Sequence, residues 1–241
     1  MTQKILAKLM SFAGINKLGL FKIAIASSFL VIVPQGQVRA ASIFIANNSF
    51  ENPMITTPSG FDTVSSGTSN NWTFTGGTQQ GFADPTIGHS FGNSWYGSPA
   101  NLPNGSQIAW SNGGTISQKL SATLQTNTVY TLSAFVGNRL SLNFPGYNIE
   151  LYAGGNFLAS NSGLPPVDGT FESVTFSYTS GISVTPGQQL EIRLTSLTGL
   201  NAQTNFDNIT LDAASIPEPS AILGLLGFGL LGIASKLRQK Q

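Results

Sequence analysis

Residues 147–153 read Tyr-Asn-Ile-Glu-Leu-Tyr-Ala, with Tyr147, Ile149, Leu151 and Ala153 alternating against Asn148, Glu150 and Tyr152. A period of two places successive side chains on opposite faces of a strand, so this segment buries one face and wets the other. The same rhythm returns on both sides of it. Tyr130, Leu132, Ala134 and Val136 form an apolar row in VYTLSAFV, Val174, Phe176 and Tyr178 form another, and Leu190, Ile192 and Leu194 a third. Between the rows lie turn-forming clusters: Gly154-Gly155-Asn156, Leu164-Pro165-Pro166 and Thr185-Pro186-Gly187. No stretch between Ser42 and Ala213 has a helical period, and no internal repeat or long linker divides it. One buried face per strand, repeated eight or more times, predicts an all-β fold: an antiparallel two-sheet sandwich over residues 41–215.

Charge separates this body from the two ends. The whole chain of 241 residues has a formal net charge of +1. Five of its basic residues precede residue 41 and three more, Lys236, Arg238 and Lys240, follow residue 220. The stretch between keeps only Lys119, Arg139 and Arg193 against all ten acidic residues, three positive and ten negative, a net of −7. A nucleic-acid partner is excluded on that balance. The chain has no cysteine, so neither a disulfide framework nor a thiolate metal site is available, and the body must fold on core burial.

Residues 1–40 have the layout of a signal peptide. Lysines precede the apolar run Ile23 to Val33, Pro34 breaks it, and Val38-Arg39-Ala40 offers small residues for a signal peptidase. An apolar run this short is an export signal rather than a spanning helix. The other end reads Ile216-Pro217-Glu218-Pro219-Ser220, then AILGLLGFGLLGIA over residues 221–234, then the basic end. Fourteen residues rise ~21 Å as a helix, against a hydrocarbon core of ~30 Å. The segment is a short transmembrane-like helix that parks transiently in the membrane, oriented by Lys236, Arg238 and Lys240. Pro217 and Pro219 stop the helix from extending backward and leave an extended segment outside. Residues 216–241 resemble a PEP-CTERM sorting signal in the order Pro-Glu-Pro, Gly/Leu-rich helix, basic end. The resemblance implies recognition and cleavage by an exosortase, with Pro217, Glu218, Pro219 and Ser220 as the sorting motif. It also implies an exported protein, transiently anchored in the inner membrane and destined for the cell surface or the medium.

The body resembles galactose-binding-like jelly rolls, the fold of many carbohydrate-binding modules. The residues that carry the resemblance are Asn48-Ser49-Phe50-Glu51-Asn52-Pro53, Trp72, the stretch 120–138 and Phe206-Asp207-Asn208-Ile209-Thr210-Leu211. Many such sandwiches hold a structural calcium between first and last strands, and the corresponding acids here are Glu51 and Asp207. Parity puts Asp207 on the face of Ile209 and Leu211, where a carboxylate needs a partner. It either binds calcium, which favours hard oxygen ligands, or bonds backbone amides at a turn.

Residues 75–110 follow no pattern. Trp95, Tyr96 and Trp110 lie in this irregular region beside Asn and Ser, with Phe144 and Tyr147 in another turn-rich stretch. Exposed, these rings would stack on sugars; buried, they would fill the core or its ends. Gly88-His89-Ser90-Phe91-Gly92 matches a nucleophile elbow in letters, but no strand-to-helix context surrounds it and the only histidine in the chain precedes the serine directly. Glu150 and Glu191, at outward strand positions, read as solvated surface rather than a catalytic pair. These readings lead to the expectation of a non-enzymatic exported module that associates with exopolysaccharide or the cell envelope. The alternatives are a structural matrix component without a sugar site and, at low weight, a surface hydrolase.

Overall fold

The computed structural model describes residues 40–87, 95–97 and 101–217. The stretch read as a signal peptide, before Ala40, and the sorting tail beyond Pro217 (Glu218, Pro219, Ser220, Lys236, Arg238 and Lys240 among it) lie outside the described residues, as does the Gly88–Gly92 motif.

Thirteen strands are described. In chain order they are β1 (Ala41–Ile43), β2 (Phe61–Thr63), β3 (Gly67–Ser69), β4 (Trp72–Thr75), β5 (Gln80–Ala83), β6 (Ile108–Ser111) and β7 (Thr115–Thr123). Then follow β8 (Thr128–Asn138), β9 (Tyr147–Ala153), β10 (Asn156–Asn161), β11 (Thr170–Thr179), β12 (Gln189–Ser196) and β13 (Thr204–Ser215). One sheet runs β11-β8-β13-β6-β5-β2, with β1 also paired to β13; the other runs β10-β9-β12-β7-β4-β3. Every pairing is antiparallel. The two sheets form the expected sandwich.

The alternating rows supply its core. Tyr130, Leu132, Ala134 and Val136 of β8 meet Tyr147, Ile149, Leu151 and Ala153 of β9 and Leu190, Ile192 and Leu194 of β12 in one buried cluster. Phe50, Trp72, Phe74 and Phe82 close one end, with Phe50 and Trp72 centroids 5.1 Å apart and Phe74 set edge-on to Phe82 at 5.3 Å. The buried Trp72 indole N–H donates to the Asn47 carbonyl at 2.9 Å, so its polar edge is satisfied. Outside the core, Glu191 departs from the solvated position expected of it. It is only 7% exposed, because Arg193 clamps it at 2.7 Å and itself lies over the Tyr152 ring.

The centre of β13 breaks the two-residue rhythm. Its register with β8 shifts between Asp207 and Thr210, where Asn208 takes a positive φ of 49°. A β-bulge inserts one residue on one strand and reverses the parity beyond it. Phe206 opposite Val136 and Ile209 beyond the bulge therefore both reach the sandwich core. Asp207 consequently does not share the face of Ile209 and Leu211, as parity had suggested. It pairs with Phe135 and lies on the opposite, outer face of the sheet. Asn208 suits the position because asparagine tolerates left-handed backbone better than other non-glycine residues. Replacing Asn208 by Val should lower stability in urea unfolding by about 1–2 kcal/mol, the cost of a side chain forced into the left-handed region. Asn208→Gly should be nearly neutral, and equal losses in both variants would show that the side chain, not the backbone, sets the bulge.

Candidate functional site

The bulge gives the seven-stranded sheet a second populated face. Gln203, just before β13, shares the outer parity with Asn205 and Asp207; the same parity brings Gly137 of β8 with Arg139 just beyond it, Ile108 and Trp110 of β6, and Phe171 of β11. The long connection from β5 to β6 returns over this face. Its described parts deliver Trp95 and Tyr96, which pack with Ala83, Ile108 and Trp110 into a second cluster, flanked by Phe61, Leu102 and Phe171. Trp95, Tyr96 and Trp110 are 6%, 4% and 3% exposed. They are not open platforms for sugar rings; they are the walls of a small separate core. Phe144 and Tyr147, by contrast, stack edge-on at 6.2 Å on the main core.

Carboxylates fasten the covering connection to the sheet. Asp207 accepts from the backbone amides of Asn104 at 3.0 Å and Asn208 at 2.6 Å. Glu51 accepts from the amides of Ser106 at 3.1 Å and Gln107 at 2.9 Å and from the Ser106 hydroxyl at 3.4 Å. Gly105 sits between these anchors at a φ of 62°, and a Cβ there would collide with the Glu51 carboxylate. Gln107 ties the same loop to 50–55: its amide donates to the Phe50 and Pro53 carbonyls, both at 2.9 Å, and its oxygen accepts from Ile55 N–H. Glu51 and Asp207 thus both anchor the segment 104–107 through its backbone amides. Burial pushes the Asp207 carboxyl up to about 8; the Asn104 and Asn208 amides oppose the rise and the nearby Glu51 charge adds to it.

Beside this anchor lies a cleft of about 260 Å³, lined by Phe61, Trp95, Trp110, Arg139, Gln203 and Asn112 among others. Phe61 stands edge-on to Trp110 at 5.8 Å and 6.2 Å from Trp95. The Arg139 guanidinium lies flat on Trp95, 3.6 Å from the ring centroid. Beneath the cleft a polar chain fixes the amides. Arg139 Nη1 donates to Gln203 Oε1 at 3.2 Å and Asn205 Nδ2 donates to the same oxygen at 3.4 Å. Gln203 Nε2 in turn donates to Asn112 at 3.0 Å, and the buried Tyr96 hydroxyl donates to Asn205 Oδ1 at 2.7 Å. Burial raises the Tyr96 phenol well above its ordinary range, with Arg139 opposing and Asp207 adding, so Tyr96 stays neutral. The approach of Tyr96 and Phe171 over β8 depends on Gly137, where a Cβ would strike both rings. Arg139 and Gly137 were not expected at a site. Their signal was faint: one of only three basic residues in the body, and a glycine inside a strand.

The chain matches the HpiC1-like family, described as HpiC1 cyclase, over residues 41–212, and the PEP-CTERM protein-sorting motif over 215–239. Among solved structures, an apo cyclase from Fischerella sp. is 28% identical with a TM-score of 0.62, covering 74% of this chain and 98% of that one. The Stig cyclase Fisc from Fischerella sp. TAU, in complex with (3Z)-3-(1-methyl-2-pyrrolidinylidene)-3H-indole, is 26% identical with a TM-score of 0.59 over 74% of this chain and all (100%) of its own. A Fischerella sp. TAU cyclase in complex with 4-(1H-indol-3-yl)butan-2-one is also 26% identical, with a TM-score of 0.60 over the same shares, 74% and 100%. No curated protein matches. The family match overturns the expectation of a non-enzymatic, polysaccharide-associating module. The irregular region that defeated pattern reading contributes Gln79, Trp95 and Trp110 to the lining of the cleft. The sorting tail stands: the protein carries the mark of export and exosortase processing.

The Asp207 shift has a definite pH signature. Between 3.8, the ordinary value, and about 8, the folded chain holds a proton that the unfolded chain has lost. Folding stability from this group is therefore complete below the lower value and is lost as pH rises through the upper one. In calcium-free buffer, the urea midpoint should decline across that window, and Asp207→Asn should flatten the decline. An unchanged slope in the variant would show that Asp207 is not the titrating group.

Proposed function

The chain belongs to the HpiC1-like cyclase family, and we propose that it is an exported enzyme that closes a ring in an indole-bearing substrate held in the cleft lined by Phe61, Trp95 and Trp110. Two observations support this reading: the family match over residues 41–212 and a cleft with three aromatic rings, Phe61, Trp95 and Trp110, in its lining. The related Fischerella cyclases were solved with indole compounds bound. Flat rings offset or edge-on to Trp and Phe gain about 0.5–1.5 kcal/mol each beyond area burial. A volume of about 260 Å³ falls just under the ~300–1,000 Å³ typical of drug-sized ligands. The cleft suits one bicyclic ring with a short side chain.

Ring closure needs the reacting ends of one molecule held close, and a shaped aromatic cleft supplies that by orientation. Trp95 and Trp110 would grip the indole, and the amides of Gln203 and Asn112, locked by their shared hydrogen bonds, would set the side chain's direction. Arg139 is the one ionisable group among the described lining residues; burial lowers it to about 10, against the opposing effect of Tyr96, and it remains a cation near neutrality. It can donate hydrogen bonds to a group that gains negative charge as the ring closes. Calorimetric titration with 4-(1H-indol-3-yl)butan-2-one should detect binding, and Trp110→Ala should weaken it about tenfold, the loss of one aromatic contact worth about 1.4 kcal/mol. No binding, or equal binding by the variant, would refute the cleft as the indole site.

A structural calcium at Glu51 and Asp207 forms part of the same proposal. The donor set fits: two carboxylates converge on one loop, and their mutual repulsion contributes to the raised Asp207 value. No cluster of three or more His, Cys, Asp or Glu side chains occurs among the described residues. The remaining oxygens would come from backbone carbonyls and water. Calcium here would neutralise the pair and hold the covering connection on the sheet, without touching substrate. Chelation should lower the melting temperature of the protein, and Asp207→Ala should abolish the chelator's effect. A melting curve indifferent to calcium and chelator removes the site.

A further inference from the structure

The body, residues 41–215, has three cations against nine carboxylates, and what it does with each is informative. Lys119 is exposed on β7. Arg193 is paired with Glu191 at 2.7 Å. Arg139 is turned inward beside Trp95, and among the described residues no carboxylate lies within ion-pair distance of it. Residues 88–100 contain no acidic side chain at all. Its protein partners are a neutral amide at 3.2 Å and an indole face at 3.6 Å. Its Nε is buried and has no hydrogen-bond acceptor among the described residues. Tyr96 does not supply the missing charge, because its phenol stays protonated.

A guanidinium taken from water without a counter-charge destabilises the fold, and cations so placed in clefts are where ligands bind. Arginine's planar fork matches a carboxylate along one edge. Here Nη1 is engaged by Gln203 and one face by Trp95, which leaves the edge bearing Nε. We infer that the cleft selects an aromatic substrate that carries a carboxylate, whose oxygens pair with Arg139 while its ring rests against the lining rings of Phe61 and Trp110. The inference rests on this cleft being the substrate site and narrows the substrate class to anionic indoles with a short side chain. The compounds held by the Fischerella cyclases carry no carboxylate.

The test is calorimetric titration of the exported protein with indole-3-propionate, its amide, and 1-naphthoate. The acid is expected to bind at least about tenfold tighter than the amide, the difference made by one charge-assisted hydrogen-bond pair. Arg139→Gln should erase that preference, whereas Arg139→Lys, which keeps the charge but loses the fork, should retain part of it. Melting curves of both variants establish that they fold, and the lysine variant carries the test if the glutamine variant does not. Equal binding of acid and amide by the parent overturns the inference while leaving the indole cleft intact. A preference for the acid that survives in Arg139→Gln overturns it too. If 1-naphthoate binds through Arg139 and neither indole does, the carboxylate site stands and the indole reading falls.

Discussion

Between Phe206 and Ile209 the central strand β13 admits one extra residue, Asn208 at a φ of 49°, and both apolar neighbours reach the same core as a result. Without that insertion Ile209 and Leu211 would share a face with Asp207, and a carboxylate would enter the sandwich interior. With it, Asn205 and Asp207 stand on the outer face, where the β5–β6 connection covers them. The arrangement converts one face of an ordinary sheet into the floor of a site. It depends on a backbone conformation that asparagine accepts and most residues resist.

The covering connection is held from two directions. Below, Asp207 and Glu51 receive backbone amides from 104 to 107. Along the side, Tyr96 reaches Asn205 and stacks on Phe171 at 4.4 Å, a fit that Gly137 makes room for. The Trp95 carbonyl accepts from Leu140 N–H at 2.9 Å, which pins that ring at the end of β8. A cleft framed by buried rings and reciprocal amides is preorganised, and preorganisation is what lets a small site orient a flexible substrate. The other half of the same outer face has no such role. There Ser133 and Thr175, and Thr131 and Ser177, exchange hydroxyl hydrogen bonds in the open at 2.8 and 3.0 Å.

Export fits this construction. With no cysteine to oxidise, the body relies on two cores, one between the sheets and one beneath the connection. The surplus of carboxylates makes an unpaired arginine in the cleft more conspicuous than it would be on a balanced surface. A body so acidic had counter-charges to spare, yet none approaches Arg139.

Alternation alone was enough to place Tyr130 to Val136, Tyr147 to Ala153 and Leu190 to Leu194 in strands with known inner faces, because a period of two is a local property. The order of residues at the two ends was equally legible, since sorting signals are read as linear sequence. That Glu51 and Asp207 both hold the 104–107 loop belongs to the tertiary structure; along the sequence only a resemblance paired them. The outer site could not be read in this way. Phe61, Trp95, Trp110, Arg139 and Gln203 belong to five separate segments, each with an ordinary reason to hold its residue, and only strand pairing brings them to one cleft. Parity misplaced Asp207, because a bulge is decided by what must pack on both sides of the strand rather than by the letters along it. The sequence by itself determined a sandwich and the sorting tail that follows it; the tertiary structure decided which face carries the cleft, because burial on that face comes from distant chain segments and leaves no local period.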